Sequence, residues 1–314
     1  MTGPAGATHL DKPEARALAR AALAERRPGR DYGLGCLKNI DKPLRAQVFC
    51  AAHPEERLTV KVFAPAGAEK ARAQTARQAA VAGALPGQAP EVLFFDEARL
   101  VLGMAYADGP SLAALWPHLS ADEAERRLED AGRWLAALHD LSAEAHPFRP
   151  KGQIAWLHRL LGWHAEGKRA IPEIAAFRDA VAALEAMALE LRGKPARRAV
   201  THRDLHLSNL VATDTGLVGL DFENDRPDEP LRDLVALLVD AMAQPGAAGD
   251  LHRSARALRR GYGETGTDQQ VSLVLQRLFA LGIWAATPDA PSLRQSARHL
   301  AARAILAAEA PLFA

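Results

Sequence analysis

The chain has 314 residues, 48% hydrophobic and 25% charged, with 39 Lys and Arg against 38 Asp and Glu. That length holds two lobes or one large domain, and a net charge of +1 supplies no basic field for nucleic acid or an anionic membrane. Two cysteines, Cys36 and Cys50, exclude a disulfide scaffold and suit a reducing cytoplasm, no apolar run reaches the ~18 residues of a membrane span, and Met1 to His9 lacks signal-peptide character.

In chain order, Asp11 stands where a cap belongs, ahead of an Ala, Leu and Arg-rich stretch from Pro13 to Arg27 that predicts a helix, broken by Pro28-Gly29. Three strand-like runs follow, Tyr32 to Leu37, Gln47 to Ala51 and Leu58 to Phe63, then a helical stretch from Gly67 to Leu85 ended by Pro86-Gly87. Two more strands, Glu91 to Phe95 and Arg99 to Met104, flank a turn at Asp96-Glu97. Beyond Asp108-Gly109 the pattern turns helical: Ala121 to Leu141 sets Leu128, Ala131, Leu135 and Leu138 at helical spacing. Gln153 to Ala165, Ile171 to Leu191, Leu231 to Ala243, Asp250 to Tyr262, Asp268 to Ala286 and Pro291 to Ala308 follow as helices. The class is α+β, divided into a helical extension (1–30), a sheet-bearing part (31–104) and a mainly helical part (105–314).

The segment richest in chemistry is Thr201-His202-Arg203-Asp204-Leu205-His206-Leu207-Ser208-Asn209, followed by Leu220-Asp221-Phe222-Glu223. Asp214-Thr215-Gly216 is turn chemistry between two short apolar runs, which predicts a β-hairpin. Folded about Thr215, it sets Asn209 opposite Asp221, and with paired strands roughly 4.8 Å apart one cation could touch both side chains. Asp204 lies on the loop entering the hairpin. A base for a hydroxyl and two oxygen ligands for magnesium are what phosphoryl transfer asks of a protein.

His202-Arg203-Asp204 with Asn209 fits the H-R-D-x-x-x-x-N catalytic loop, and Asp221-Phe222-Glu223 stands where protein kinases have Asp-Phe-Gly. The His-x-Asp-Leu-His-x-x-Asn wording, the Asp-Phe-Glu variant and Asp233-Leu234 twelve residues past Asp221 resemble the aminoglycoside phosphotransferase and choline kinase family. The resemblance covers roughly residues 30 to 300 and is specific around 201 to 234. It implies a two-lobed protein-kinase-like fold, with a small antiparallel sheet and one helix forming the nucleotide lobe (31–104), and a helical lobe (105–314) carrying the catalytic hairpin. It also implies ATP and Mg2+ as cofactors and a small-molecule hydroxyl acceptor. Asp204 would be the base, and Asn209 and Asp221 the metal ligands.

By the same resemblance Lys61, in Thr59-Val60-Lys61-Val62-Phe63, holds the α and β phosphates. Kinases pair this lysine with a Glu on the next helix; the matching position is Gln78, an amide that bonds a lysine without neutralising it. The phosphate-covering loop falls near Lys38 to Ala46, where Asn39-Ile40-Asp41-Lys42-Pro43 is not glycine-rich and Gly33-Leu34-Gly35 is a weak signal. Met104 and Tyr106 are candidate adenine walls or inter-lobe packing. His202, Arg203, His206, Glu223 and Asp233 are supporting residues: His202 shapes the loop, Arg203 is an ion-pair partner, and Asp233 caps or anchors the helix from Pro230.

The acceptor stays open. Asp221, Glu223, Asp225, Asp228 and Glu229 favour amines, Trp156 and Trp163 a quaternary ammonium, and His158, Arg159 and His164 an acidic sugar. Eleven residues between Asp221 and Asp233 leave no room for a long regulatory loop, which disfavours a protein kinase. The competing expectation is a nucleotide-binding pseudokinase serving as a regulatory module.

Overall fold

A computed structural model describes residues 10–38, 45–245 and 250–313. Asp11 accepts the Glu14 N–H at 2.7 Å and so starts α1, Lys12–Arg26. Ala15, Ala19, Ala22 and Leu23 recur at helical spacing and are all buried. They pack on a five-stranded antiparallel sheet made of β1 (Gly33–Lys38), β2 (Gln47–His53), β3 (Glu56–Val62), β4 (Val92–Asp96) and β5 (Val101–Ala105), in the order β1-β2-β3-β5-β4.

Alternation along β3 gives this sheet two faces. Leu58, Val60 and Val62 join Phe49 and Val101 in a core closed by α1. Lys61 lies opposite Leu102 and Thr59 opposite Met104; Phe63, Leu102 and Met104 form a second core with Ala71 of α2, Ala68–Ala84. Lys61 therefore stands on the α2 face, and α1 is the back wall of the sheet.

By contacts the chain forms two compact units. The first runs to Gly109 and takes in Thr213–Glu223; the second comprises Pro110–Ala212 and the chain from Asn224 onward. The sequence places all of 105–314 in one part. Residues 213–223 instead go with the first unit, because Gly219 donates its N–H to the Gln88 carbonyl at 2.9 Å and Asp221 meets Lys61 at 2.6 Å.

The second unit contains α3 (Leu112–Leu115), α4 (Ala121–Asp140), β6 (Glu144–Pro147), α5 (Lys151–Ala165), α6 (Ile174–Glu190) and β7 (Pro195–Val200). In chain order the hairpin strands β8 (Leu210–Thr213) and β9 (Gly216–Gly219, in the first unit) follow, then, in the second unit, β10 (Pro227–Asp228), α7 (Leu231–Met242), α8 (Leu251–Tyr262), α9 (Gln269–Ala285) and α10 (Leu293–Ala307). The long helices end within a few residues of their predicted limits. The hairpin forms at the predicted turn: Thr213 Oγ1 donates to the Gly216 carbonyl at 2.9 Å, and Gly216 takes φ 133°. The three-stranded sheet β10-β7-β6 is missed, since Pro195-Ala-Arg-Arg-Ala-Val has little of the β-branched alternation that marks a strand. Gly132 and Gly261 bring α4 and α8 together backbone to backbone, where a Cβ on either would strike the other helix. That approach sets His139 of α4 2.9 Å from the Tyr262 hydroxyl. Among the described residues no helix is long and apolar enough to cross a membrane.

Candidate active site

In the first unit, β3 delivers Lys61, 7% exposed, to a cluster of carboxylates. Its Nζ lies 2.6 Å from Oδ1 of Asp221 and 3.3 Å from Oε1 of Glu223. Lys70 of α2 takes the other Glu223 oxygen at 2.6 Å, and the Gln74 amide donates to Asp221 Oδ1 at 3.0 Å. Asp221 sits at φ 68°, in the left-handed region that a short polar side chain tolerates better than a bulky one. Burial alone would push its carboxyl up; Lys61, supported by Lys38 and Gln74, outweighs burial and brings it down to about 2. Asp221 is thus an ionised oxygen donor throughout the physiological range.

In the second unit, Leu205 and Leu207 are buried while Asp204, between His202 and those leucines, keeps its carboxylate 77% exposed. The Asn209 amide nitrogen donates to the Asp204 backbone carbonyl at 2.9 Å, which leaves Oδ1 as the acceptor of that side chain. Asp233, 0% exposed, accepts the backbone N–H groups of His202 at 2.5 Å and Arg203 at 2.8 Å, and its Oδ2 is 3.1 Å from His139 Nε2. Burial pushes its carboxyl up, but His139 and the His202 N–H hold the net shift downward. Asp240, two turns along α7 and equally buried, accepts the Leu207 N–H at 2.9 Å. The catalytic-loop segment is therefore pinned on both sides of Asp204 by two carboxylates of one helix face. Arg203, at φ 68°, is a bulky residue in the left-handed region, a conformation that persists only where the surroundings fix it.

A model of the phosphotransferase enzyme family matches residues 37–268. The chain belongs to the phosphotransferase enzyme family. Its fold is similar to those of choline kinase LicA from Streptococcus pneumoniae (16% identity, TM-score 0.58, covering 93% of this chain and 98% of that one) and macrolide 2'-phosphotransferase MphH from Brachybacterium faecium (17%, 0.58, 94% and 98%). It is also similar to ADP-bound aminoglycoside phosphotransferase APH(2'')-Ib (14%, 0.59, 97% and 99%). Among curated proteins none matches. The chain is a phosphotransferase of the protein-kinase-like fold, an α+β architecture.

Not every residue of this phosphotransferase lies where the sequence puts it. Gln78, expected beside Lys61, is 2% exposed and donates to the Pro90 carbonyl at 2.6 Å. Gln74, one turn earlier, faces the site instead, and its amide goes to Asp221 rather than to the lysine. The lysine's charge is met by Asp221 and Glu223, so an amide on α2 suffices. Gln74→Ala is expected to raise the KM for ATP several-fold, with a stability loss like that of any buried hydrogen-bonded glutamine. Gln78→Ala should lower stability through the lost buried hydrogen bond, by about 1–3 kcal/mol, and leave that KM near its starting value; steady-state kinetics separates the two, and urea unfolding reads the stability loss.

Met104 lies on the Lys61 face of the sheet, in the core with Phe63 and Leu102. Tyr106 is half-buried, with the Arg57 guanidinium 4.9 Å above its ring. Gly33-Leu34-Gly35 lies within β1, and residues 39–44 of the expected phosphate loop, Lys38 to Ala46, lie outside the described residues. His206 sits 3.9 Å from Asp204, its imidazole pushed below the usual value by burial despite Asp204 and Asp240. Arg203 pairs with Asp228 at 2.9 Å. Asp233 is a loop anchor rather than a cap of its own helix, since its carboxylate is spent on His202 and Arg203.

The donor set fits magnesium and a nucleotide. Among the described residues no group of three or more His, Cys, Asp or Glu forms a metal cage. Magnesium with a nucleotide needs none, because one or two protein oxygens suffice and phosphate and water complete its shell. The ionised Asp221 and the Asn209 Oδ1 are donors of that kind.

Two further carboxylates, Asp240 and Glu229, matter here and do not stand out in the sequence. The signal for Asp240 is a carboxylate seven residues after Asp233 inside the apolar run Leu234-Val-Ala-Leu-Leu-Val, where a solvated role is unnatural. Glu229 is 1% exposed and its carboxyl is pushed up to about 7, first by burial and then by Asp228, against Arg198 and Arg232. Its folded pKa lies above the unfolded value, so stability falls as pH rises from about 4.5 to 7, in total by roughly 3 kcal/mol. Glu229→Gln is expected to match the parent at pH 4.5 and exceed it at pH 8, read by urea unfolding at both.

Proposed function

We propose that this protein moves the γ-phosphoryl group of ATP, with magnesium, to a hydroxyl of a small molecule, with Asp204 as the base. What supports the reading most is the Lys61–Asp221 pair at 2.6 Å, with the Asp221 carboxyl brought down to about 2. It is a phosphate-binding cation beside a permanently ionised metal donor. The ADP carried by the aminoglycoside phosphotransferase of like fold supports ATP as donor. Two free thiols and the use of ATP favour the cytoplasm, and the near-neutral charge favours a small molecule over nucleic acid or membrane as partner.

Lys61 would hold the α and β phosphates, and Asn209 and Asp221 would each offer an oxygen to magnesium. When bound, magnesium would offset the negative charge that develops on the transferring phosphoryl group. Asp204 orients the acceptor hydroxyl. A bond forms between the acceptor oxygen and the γ-phosphorus, the bond from that phosphorus to the ADP oxygen breaks, and the hydroxyl proton passes to Asp204. Positioning carries most of the rate, since the transition state is loose. His139, Asp233 and Asp240 act through the loop they hold.

The test is transfer of label from γ-labelled ATP to a panel of aminoglycosides, choline, amino alcohols, sugars and hydroxy acids. Label on any acceptor, abolished in Asp204→Asn, supports the reading. Tight Mg-ATP binding with no labelled product would favour the nucleotide-binding module.

A further inference from the structure

We propose that the acceptor is an anion: a small hydroxyl compound carrying a carboxylate or phosphate, held by a cationic cavity next to the catalytic loop. The inference rests on the phosphotransferase reading above and names the acceptor class of that site. Within the second unit a cavity of about 370 Å³ is lined by Arg203, Arg232 and Arg298, with Trp156, Phe279 and Ile283 among its apolar walls. Among the described residues no carboxylate lines it. Arg203 is the residue before Asp204, and its backbone is the one Asp233 fixes, so the cavity reaches the loop that bears the base.

The charge count favours an anion. Asp228 is shared by Arg203 at 2.9 Å and Arg232 at 2.6 Å. Asp240 is shared by Arg294 and Arg298, both at 2.7 Å, and also accepts the Leu207 N–H. Only Arg203, Arg232 and Arg298 of these line the cavity, so three lining guanidinium groups against two carboxylates leave one positive charge. A guanidinium fork presents paired donors that match a carboxylate or phosphate edge. Arg232 is also stacked 4.6 Å over the Phe279 ring, which fixes its plane and lowers the entropy lost on binding.

Three members of the acidic run that favours an amine in the sequence are consumed internally. Asp221 and Glu223 are taken by Lys61 and Lys70, and Asp228 by two arginines. A cationic acceptor in this cavity would meet guanidinium groups without a carboxylate on the wall. The aromatic residues are wall and stacking surface, and Trp156 packs over Gly282, where a Cβ would meet the indole at 2.8 Å.

The experiment compares matched acceptors with the full chain and Mg-ATP: glycerate and glycerol phosphate against glycerol and ethanolamine, and gluconate against glucose and glucosamine. The expected result is a kcat/KM at least tenfold higher for the acidic members, falling at 0.5 M NaCl. The carboxylate and phosphate arms show which anion is read. Arg298→Gln should raise the acceptor KM about tenfold with the ATP KM unchanged. Since Arg298 also supports Asp240, Arg232→Gln is the second variant, with thermal unfolding run on both. Preference for a neutral or cationic member overturns the proposal. If no acceptor is phosphorylated, titration calorimetry with the same acids decides. Binding weakened about tenfold in Arg232→Gln keeps the anion cavity and overturns the phosphotransfer reading, whereas no binding of any acid overturns the cavity.

Discussion

Replacing Asp204 with asparagine is expected to cut kcat by about 10³-fold, within the 10²- to 10⁴-fold range of a lost general base, while ATP affinity stays within twofold. That loss corresponds to about 4 kcal/mol of transition-state stabilisation. Asparagine preserves the shape of the side chain and one acceptor oxygen, so the hydroxyl can still be approached, but no group takes its proton. Stability should not move by more than about 0.5 kcal/mol, because the carboxylate is 77% exposed and the loop is held by other groups. The backbone carbonyl of residue 204, which accepts from Asn209, is unchanged by the substitution. Single-turnover rates with labelled ATP, nucleotide titration and urea unfolding give the three numbers. A fall in kcat below tenfold would remove Asp204 from the role of base and assign it to surface solvation.

The motif and the hairpin were legible because their signals are local. Asp214-Thr215-Gly216 predicts the turn from side-chain chemistry and positive φ, and both appear at that turn. Lys61 was legible from strand alternation, since Thr59, Lys61 and Phe63 share one face. The helices of the second unit were legible from apolar spacing, and α1 from its cap. What failed required knowing a partner. Gln78 and Gln74 are one turn apart on the same helix, and only the depth of Pro90 against the position of Asp221 tells which glutamine turns to the site. Residues 213–223 join the first unit through Lys61 and Gln88, more than a hundred residues earlier in the chain. The acidic run from Asp221 to Glu229 reads as an amine trap until its lysine and arginine partners are placed. Those partners come from β3, α2, the catalytic loop and α7.

Asp233→Ala is expected to cost about 3–5 kcal/mol of stability, the range for removing one partner of a buried polar pair. Three groups lose their acceptor together: the N–H of His202, the N–H of Arg203 and His139 Nε2. Each buried group left unsatisfied costs about 1–3 kcal/mol on its own, and relaxation of the loop recovers part of the sum. Relaxation has a direction. Arg203 is held at φ 68°, a conformation costing on the order of 1–3 kcal/mol for such a residue, and with Asp233 gone the backbone bond that fixes it is lost and, among the described residues, only the Asp228 ion pair remains. A return to negative φ swings Asp204, the next residue, so kcat should fall along with stability even though Asp233 touches no substrate. The pH dependence separates this role from simple packing. The Asp233 carboxyl is held below its ordinary value, so its contribution is complete above the unfolded pKa near 3.8 and is lost as pH falls through the lower folded one. The parent should therefore lose its advantage over Asp233→Ala only in acid, and Asp233→Asn, which keeps one acceptor oxygen, should fall between them in stability and in kcat. Equal stability of Asp233→Ala and the parent at pH 7 would show that the loop holds Asp204 without its anchor.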